Sequence, residues 1–192
     1  PEWFTAPSTL SVTPGLHRFI WPLRYPAAPS LADGDAYADG AWAPPGRYTI
    51  ALTVDGQTWT QPLTVAPDPR VHLPAAAYAQ QFAFARQVEA AQARLAPAEA
   101  EAKRLHAALR TTRAAAGPPW AERLDALDRK VAELAGLNDP PNPNNGMPPT
   151  RTTSFAFLSQ ALGKLANAAD DADTAPSPDA RRGYDALVPM LA

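Results

Sequence analysis

The run from Arg47 to Val65, RYTIALTVDGQTWTQPLTV, limits the fold of this chain more than any other stretch. Tyr48, Ile50, Leu52 and Val54 alternate with Thr49, Ala51 and Thr53, the period-two pattern of a strand with one buried face. Asp55-Gly56 follows at once, a two-residue turn whose central residues both accept positive φ and so match the twist of a tight antiparallel hairpin. The expected pairs are Val54 with Gln57, Leu52 with Trp59 and Tyr48 with Leu63, which puts large apolar groups on one side and threonines on the other. A β-module is predicted, and no residue in it specifies a reaction.

The chain changes character near residue 70, which divides it into a β-module over 1–70 and a helical module over 71–192. In the first, Leu10 and Val12 read as a short strand ending at Pro14-Gly15, a pair suited to a type II turn. Leu16 to Leu23 reads as a second strand with Phe19, Trp21 and Leu23 on one face, and Pro22 limits it to an edge or marks a bulge. Tyr25 to Pro45 is a long excursion rich in Pro, Ala, Asp and Gly, after which Pro44-Pro45-Gly46 delivers the chain into the hairpin. Four strands fall short of the roughly seven of an immunoglobulin-like sandwich. One sheet face then lacks a partner, so either the helices cover it or strands are missing.

Several of these residues carry a resemblance. Gly15-Leu16-His17-Arg18-Phe19, Trp21, Leu23-Arg24-Tyr25-Pro26 and Pro44-Pro45-Gly46-Arg47-Tyr48 are similar to the C-terminal region of exported bacterial proteins with BNR or sortilin-type β-propellers, often described as glycosyl-hydrolase-like. In that family the stretch resembles the immunoglobulin-like domain of flagellar hook-capping proteins, and an alanine-rich helical segment follows it. Pro22 departs from the pattern, where the family usually carries aspartate after the tryptophan. The resemblance implies an upstream propeller, the first strands of the sandwich outside this chain, and export to the periplasm or beyond. The start at Pro1, without methionine, is read as the start of a piece of a longer protein.

The second module opens with a helix expected over about 75–115. Tyr78, Phe82, Ala85, Val88, Gln92 and Leu95, then Ala98, Ala102, Leu105 and Leu109, recur at three and four and form a seam for another helix. Pro97 lies inside it, where a proline removes a backbone donor at a cost of about 3 kcal/mol, so a kink is predicted, with a break into two helices as the alternative. Gly117-Pro118-Pro119 begins a helix over 119–135 with the stripe Trp120, Leu124, Leu127, Val131 and Leu134, closed by Gly136. Asn138 to Thr150 is too rich in Pro and Asn for regular structure. A third helix is expected over 154–169, capped by Thr153, with Phe155, Leu158, Leu162 and Leu165 inward. Ser177-Pro178 opens a fourth over 178–191, with Ala180, Tyr184, Leu187 and Leu191 on one face. Antiparallel packing into a helical bundle is the economical arrangement.

Composition narrows the function by exclusion. A net charge of -2 with acids and bases intermixed leaves no basic footprint for nucleic acid. No apolar run approaches the roughly 18 residues of a membrane span. Zero cysteines exclude disulfides and thiolate metal sites. His17, His72 and His106 show no metal-ligand spacing and read as isolated surface histidines. Asp33, Asp35 and Asp39 suggest a calcium loop, but Tyr37 stands at the third oxygen position and Pro44 at that of the bidentate glutamate. A solvated turn is the better reading. Asp170, Asp171 and Asp173 cluster at a helix C-terminus, where the dipole disfavours them, and read as a hydrated exit loop. Glu99 and Glu101 fall on different helix faces, unlike a glycosidase pair.

No catalytic residue, metal ligand or cofactor site is assigned. Trp21 and Trp59 are expected on buried strand faces and Trp120 in a helix seam, while Trp3, Phe4 and Trp42 lie outside clear alternation. These three are the candidate interaction residues, packed under missing strands, filling a contact with a propeller, or forming a sugar-stacking platform. The expected fold is α+β and multi-module, a small antiparallel immunoglobulin-like β-sandwich followed by a helical bundle. The expected function is a non-catalytic C-terminal accessory module of an exported propeller protein. It would dock on the propeller, on another protein or on a second copy through its helices. The alternatives are a carbohydrate-binding module or a loop contributed to a glycosidase site on the propeller.

Overall fold

An Asp-Gly bend sets the geometry of the longest β-element: Asp55 and Gly56 both take positive φ, 50° and 78°, as a two-residue hairpin requires. The computed structural model describes residues 12–31, 39–137, 153–171 and 173–191. Strands β1 (Arg24–Pro26), β2 (Asp39–Trp42), β3 (Gly46–Val54) and β4 (Gln57–Val65) precede helices α1 (Ala75–Ala115), α2 (Pro118–Ala135), α3 (Phe155–Asp170) and α4 (Pro178–Leu187), and a 3-10 turn, Val188–Leu191, follows. The described chain is therefore α+β, with four helices and two small antiparallel sheets, β1-β2 and β3-β4.

The β3-β4 register is the one the alternation predicts, with Val54 opposite Gln57, Leu52 opposite Trp59 and Tyr48 opposite Leu63. On the polar side the Thr53 and Thr58 hydroxyls meet at 2.8 Å. The expected burial does not follow. Ile50, Leu52, Val54 and Trp59, on the apolar side, are 52%, 46%, 47% and 54% exposed, because no helix or third strand lies over them among the described residues. Trp59 is thus a surface residue rather than part of a buried face.

The strand expected over Leu16–Leu23 does not form. Leu23 sits at φ 61° and turns the chain, and Pro22 beside it lacks a ladder donor, so the segment has no register to extend. Leu16, Phe19 and Ile20 are exposed. Trp21 instead packs edge-on against Tyr48 at 5.3 Å and donates to the Arg24 carbonyl at 2.9 Å. The excursion after it supplies β1 and β2, paired from Arg24 opposite Trp42 to Pro26 opposite Asp39 across an irregularity. Gly40 lies so close to that partner that an added Cβ would stand 2.5 Å from the Tyr25 carbonyl oxygen. Of the first expected strand, Val12 is irregular and Leu10 lies outside the described residues.

Helix α1 runs unbroken for 41 residues, about 60 Å at 1.5 Å per residue. Pro97 deprives the Ala93 carbonyl of its usual donor, and the Ser30 hydroxyl supplies one at 3.1 Å. The break into two helices is not what forms. Helix α2 returns along the C-terminal half of α1, where Ala102 and Leu109 meet Val131 and Ala135. Arg113 reaches Asp125 at 2.8 Å across that contact. Gly136, at φ 77°, closes α2 as the sequence indicates. Ser154, rather than the expected Thr153, then caps α3 by accepting from the Phe157 N–H at 3.2 Å.

Helix α3 continues along the N-terminal half of α1. Leu158 and Leu162 join Phe84, Val88, Ala91 and Leu95 in the main core, and Gln81 donates to the Ala169 carbonyl at 2.8 Å near the end of α3. Helix α4 turns back: the Tyr184 hydroxyl donates to the Gln87 carbonyl at 3.2 Å and Arg94 donates to that of Leu191 at 2.9 Å, so α4 advances in the direction of α1. Pro189 ends α4 early, tightening 188–191 into the 3-10 turn.

Two expected seams shift. On α1, Phe84 enters the core while Leu105 is exposed. On α2, Ala121, Ala132 and Ala135 are buried, whereas Trp120, Leu127 and Leu134 are about half exposed or more. Alanines permit closer helix approach, and with one principal neighbour α2 needs only that narrow face. Trp120 carries Arg123 over its ring at 5.3 Å instead of filling a seam.

Candidate functional site

Two features stand out where the β-elements meet the helices: the uncovered hairpin face and a groove at its base. The hairpin springs from Pro44-Pro45 and is held there by Tyr48, whose hydroxyl donates to the Pro44 carbonyl at 2.5 Å. Burial, then the neighbouring Tyr25, push the Tyr48 hydroxyl above the usual phenol range. Beyond that base the outer edges of β3 and β4 have no strand partner among the described residues. An apolar face bordered by open edges is a template for another strand.

The β1-β2 sheet, in contrast, is fastened to the helices by polar contacts. Arg24 bridges to Asp170 at 2.8 Å, donates to the Gly40 carbonyl at 2.9 Å and stacks on the Trp42 ring at 3.8 Å. The Ala28 N–H donates to the largely buried Glu89 at 3.0 Å, and Arg86 pairs with the same carboxylate at 2.7 Å. Tyr25 packs on Phe82 of α1 with ring centroids 5.2 Å apart.

Between this sheet, the segment after β4 and the start of α1 lies an open groove of about 410 Å³. Trp42, Pro45, Tyr78 and Phe82 line it together with Asp68, Asp170, Asp171 and Asp173. The acidic stretch after α3, expected to be a hydrated exit loop, therefore contributes to a concave surface. Asp68 is held well below the usual carboxylate range by its hydrogen bonds with Arg70, which meets it at 2.6 Å.

Of the candidate interaction residues, Trp42 is partly exposed beside the groove with Arg24 against one face of its ring, and Trp3 and Phe4 lie outside the described residues. Asp33 and Asp35 of the loop weighed for calcium lie outside them as well. His106 is not isolated: its Nδ1 stands 2.6 Å from the Asp128 carboxylate on α2. Among the described residues no three of His, Asp and Glu converge closely enough to hold a metal ion, and no helix is long and apolar enough to cross a membrane. Glu99 pairs with Lys103, and Glu101 with Arg104, along α1. The sequence missed the groove because its walls are contributed by segments from Leu23 to Asp173, joined only by folding. No family model, curated protein or solved structure matches this chain.

Proposed function

We propose that this chain is a non-catalytic docking module, the accessory part of an exported β-propeller protein, and that its β3-β4 hairpin is covered by β-structure from the propeller-bearing part of the same protein. The observation that carries the proposal is the apolar hairpin face, half exposed from Ile50 to Trp59 with no covering layer among the described residues. Contiguous exposed apolar surface marks an interaction site, and strand addition supplies main-chain hydrogen bonds to an open edge while pockets take alternate side chains. The added strands would complete the immunoglobulin-like sandwich that the sequence resembles. The helices supply a separate support, with a core of their own around Phe84, Val88, Leu158 and Leu162.

Hydrogen exchange tests this with the chain alone and with the upstream propeller polypeptide added in trans. Docking protects amides of Gly46–Val54 and Gln57–Val65 in the mixture and leaves α1 unchanged. Protection confined to the helices, with the hairpin exchanging as in the free chain, would remove the proposal.

A further inference from the structure

The groove beside Trp42 carries an unbalanced charge. Four carboxylates line it, those of Asp68, Asp170, Asp171 and Asp173, and among the described residues no lysine or arginine does. Arg70 answers Asp68 and Arg24 answers Asp170. Asp171 and Asp173 have no ion pair among the described residues, so two negative charges of the lining remain unanswered there.

A second, independent feature points to a ligand. Tyr78 lines the same groove, is only 8% exposed, and its hydroxyl has no hydrogen-bond partner among the described residues. Buried polar groups are nearly always paired, and leaving one unpaired disfavours the fold. Burial first, then the carboxylates of Asp173 and Asp68, push this hydroxyl above the usual phenol range, which places its oxygen within the field of both acids. A cation entering there meets negative charge and an unused hydroxyl together.

The remaining walls decide what kind of cation. Trp42, Pro44, Pro45, Phe82 and Ala85 are apolar or aromatic, and a bare metal ion gains nothing from such surface. The carboxylates do not converge in a metal-binding group among the described residues. An alkyl stem with a charged head fits both parts, since the stem lies on apolar wall while the head keeps its charge among acids. We infer that this groove binds a primary alkylammonium group, its stem along Trp42 and Phe82 and its head between Asp173, Asp171 and the Tyr78 hydroxyl. The ammonium belongs either to a free amine or to a lysine side chain of a polypeptide, and the chemistry of recognition is shared. The site is independent of the hairpin docking proposed above.

The test is NMR titration of the whole chain with n-butylammonium, with Nα-acetyl-lysine N-methylamide and with uncharged n-butanol. Both cations shift the Trp42 indole and Tyr78 ring signals and n-butanol does not. The Asp171→Asn/Asp173→Asn double variant weakens cation binding by about tenfold, and Tyr78→Phe by about fivefold, as loss of contacts to a charged group implies. Because Tyr78→Phe removes an unpaired buried hydroxyl, it leaves the melting temperature of the free chain unchanged or raised. Weaker binding in that variant therefore reports contact with the ligand rather than a damaged fold. Tighter binding of the lysine compound than of butylammonium assigns the site to a polypeptide side chain, and the reverse assigns it to free amines. Equal binding of n-butanol, affinity unchanged in the aspartate double variant, or no shift with either cation at millimolar concentration would overturn the inference.

Discussion

Replacing Leu52 and Trp59 together by threonine separates an open hairpin from a buried one. Threonine keeps the strand preference of both positions, so the change acts on side-chain burial. Trp59 is 54% exposed and Leu52 46%. A fully buried aromatic hides about 150–250 Å², so roughly 100 Å² of Trp59 is hidden in the isolated chain, worth about 2.5 kcal/mol at ~25 cal/mol per Å². Half of a leucine adds about 1 kcal/mol, and the new threonines recover roughly 1 to 1.5 kcal/mol of the sum. The double variant should therefore weaken the hairpin by about 2 kcal/mol. Were the pair fully buried, each truncation alone would cost about 2–5 kcal/mol.

Two readouts are needed, because the hairpin does not share the helical core. Amide exchange across β3 and β4 reports the local loss, and helical circular dichroism under denaturant reports the core. Faster hairpin exchange with an almost unmoved helical transition is the expected pair of results. A helical transition destabilised by about 5 kcal/mol or more would mean that the apolar face is buried against helices, and the docking proposal would lose its basis. The exposed half of each side chain is what a partner covers, so the same variant should lose about 2 kcal/mol of binding, roughly thirtyfold in Kd.

Gly136 and Gly56 share nearly the same φ, 77° and 78°, but a Cβ at Gly136 would stand 2.7 Å from that of Ala156 whereas one at Gly56 meets nothing. Alanine at Gly56 should cost the hairpin about 1 kcal/mol for the left-handed backbone, and at Gly136 a further ~1–3 kcal/mol of overpacking, read by denaturant unfolding; equal costs would show that α2 and α3 do not meet there. Leu162→Ala, at a fully buried position, should lose about 2–5 kcal/mol, while Leu127→Ala on the exposed stripe of α2 loses under about 1 kcal/mol in the same assay. Tyr48 and Tyr78 both have hydroxyls raised above the usual phenol range, so the folded chain holds protons that the unfolded chain releases near pH 10. Stability should be unaffected by these groups below about pH 10 and fall as pH rises through and beyond it, with the phenolate absorbance titration delayed in the folded chain relative to the chain in denaturant.

Local rules made much of this structure legible. The Asp55-Gly56 turn and two facing alternations specify a register that a one-residue slip would invert, and nine consecutive pairs follow it. Gly136, Pro118-Pro119 and Ser177-Pro178 set helix ends through backbone geometry that depends little on neighbours. Burial was legible only where neighbours were numerous. The stripe on α2 and the one on α3 have similar apolar periodicity, but α3 lies between α1 and α4 while α2 rests mainly on α1. Leu162 is accordingly sealed and Leu127 is half open. Leu16–Leu23 alternates like a strand, yet alternation records fitness for a pleat and not the presence of a second strand to pair with. The groove was hidden for the same reason: the sequence shows Tyr78 on a helical stripe and Asp173 in an acidic cluster, but nothing in it says that these two and Asp68 line one surface.

The polar contacts explain why an open hairpin persists beside a closed helical core. Pro97 would leave the Ala93 carbonyl without a donor, and Ser30 provides it; two residues earlier, the Ala28 N–H satisfies Glu89, a carboxylate too buried to be left unanswered. Arg24 does the same for Asp170 at the exposed end of α3. The segment from Arg24 to Ser30 thus meets needs created by the helices themselves, which fixes the small β1-β2 sheet on α1. Trp42 and Pro44 follow directly from that sheet, and Tyr48 is tied back to Pro44 and to Trp21. The hairpin is consequently aimed by its base alone, with prolines at Pro44, Pro45 and Pro67 restricting the backbone on both sides. A strand pair presented in that way has its orientation set before any partner arrives, so docking costs less conformational entropy than ordering a free ribbon would.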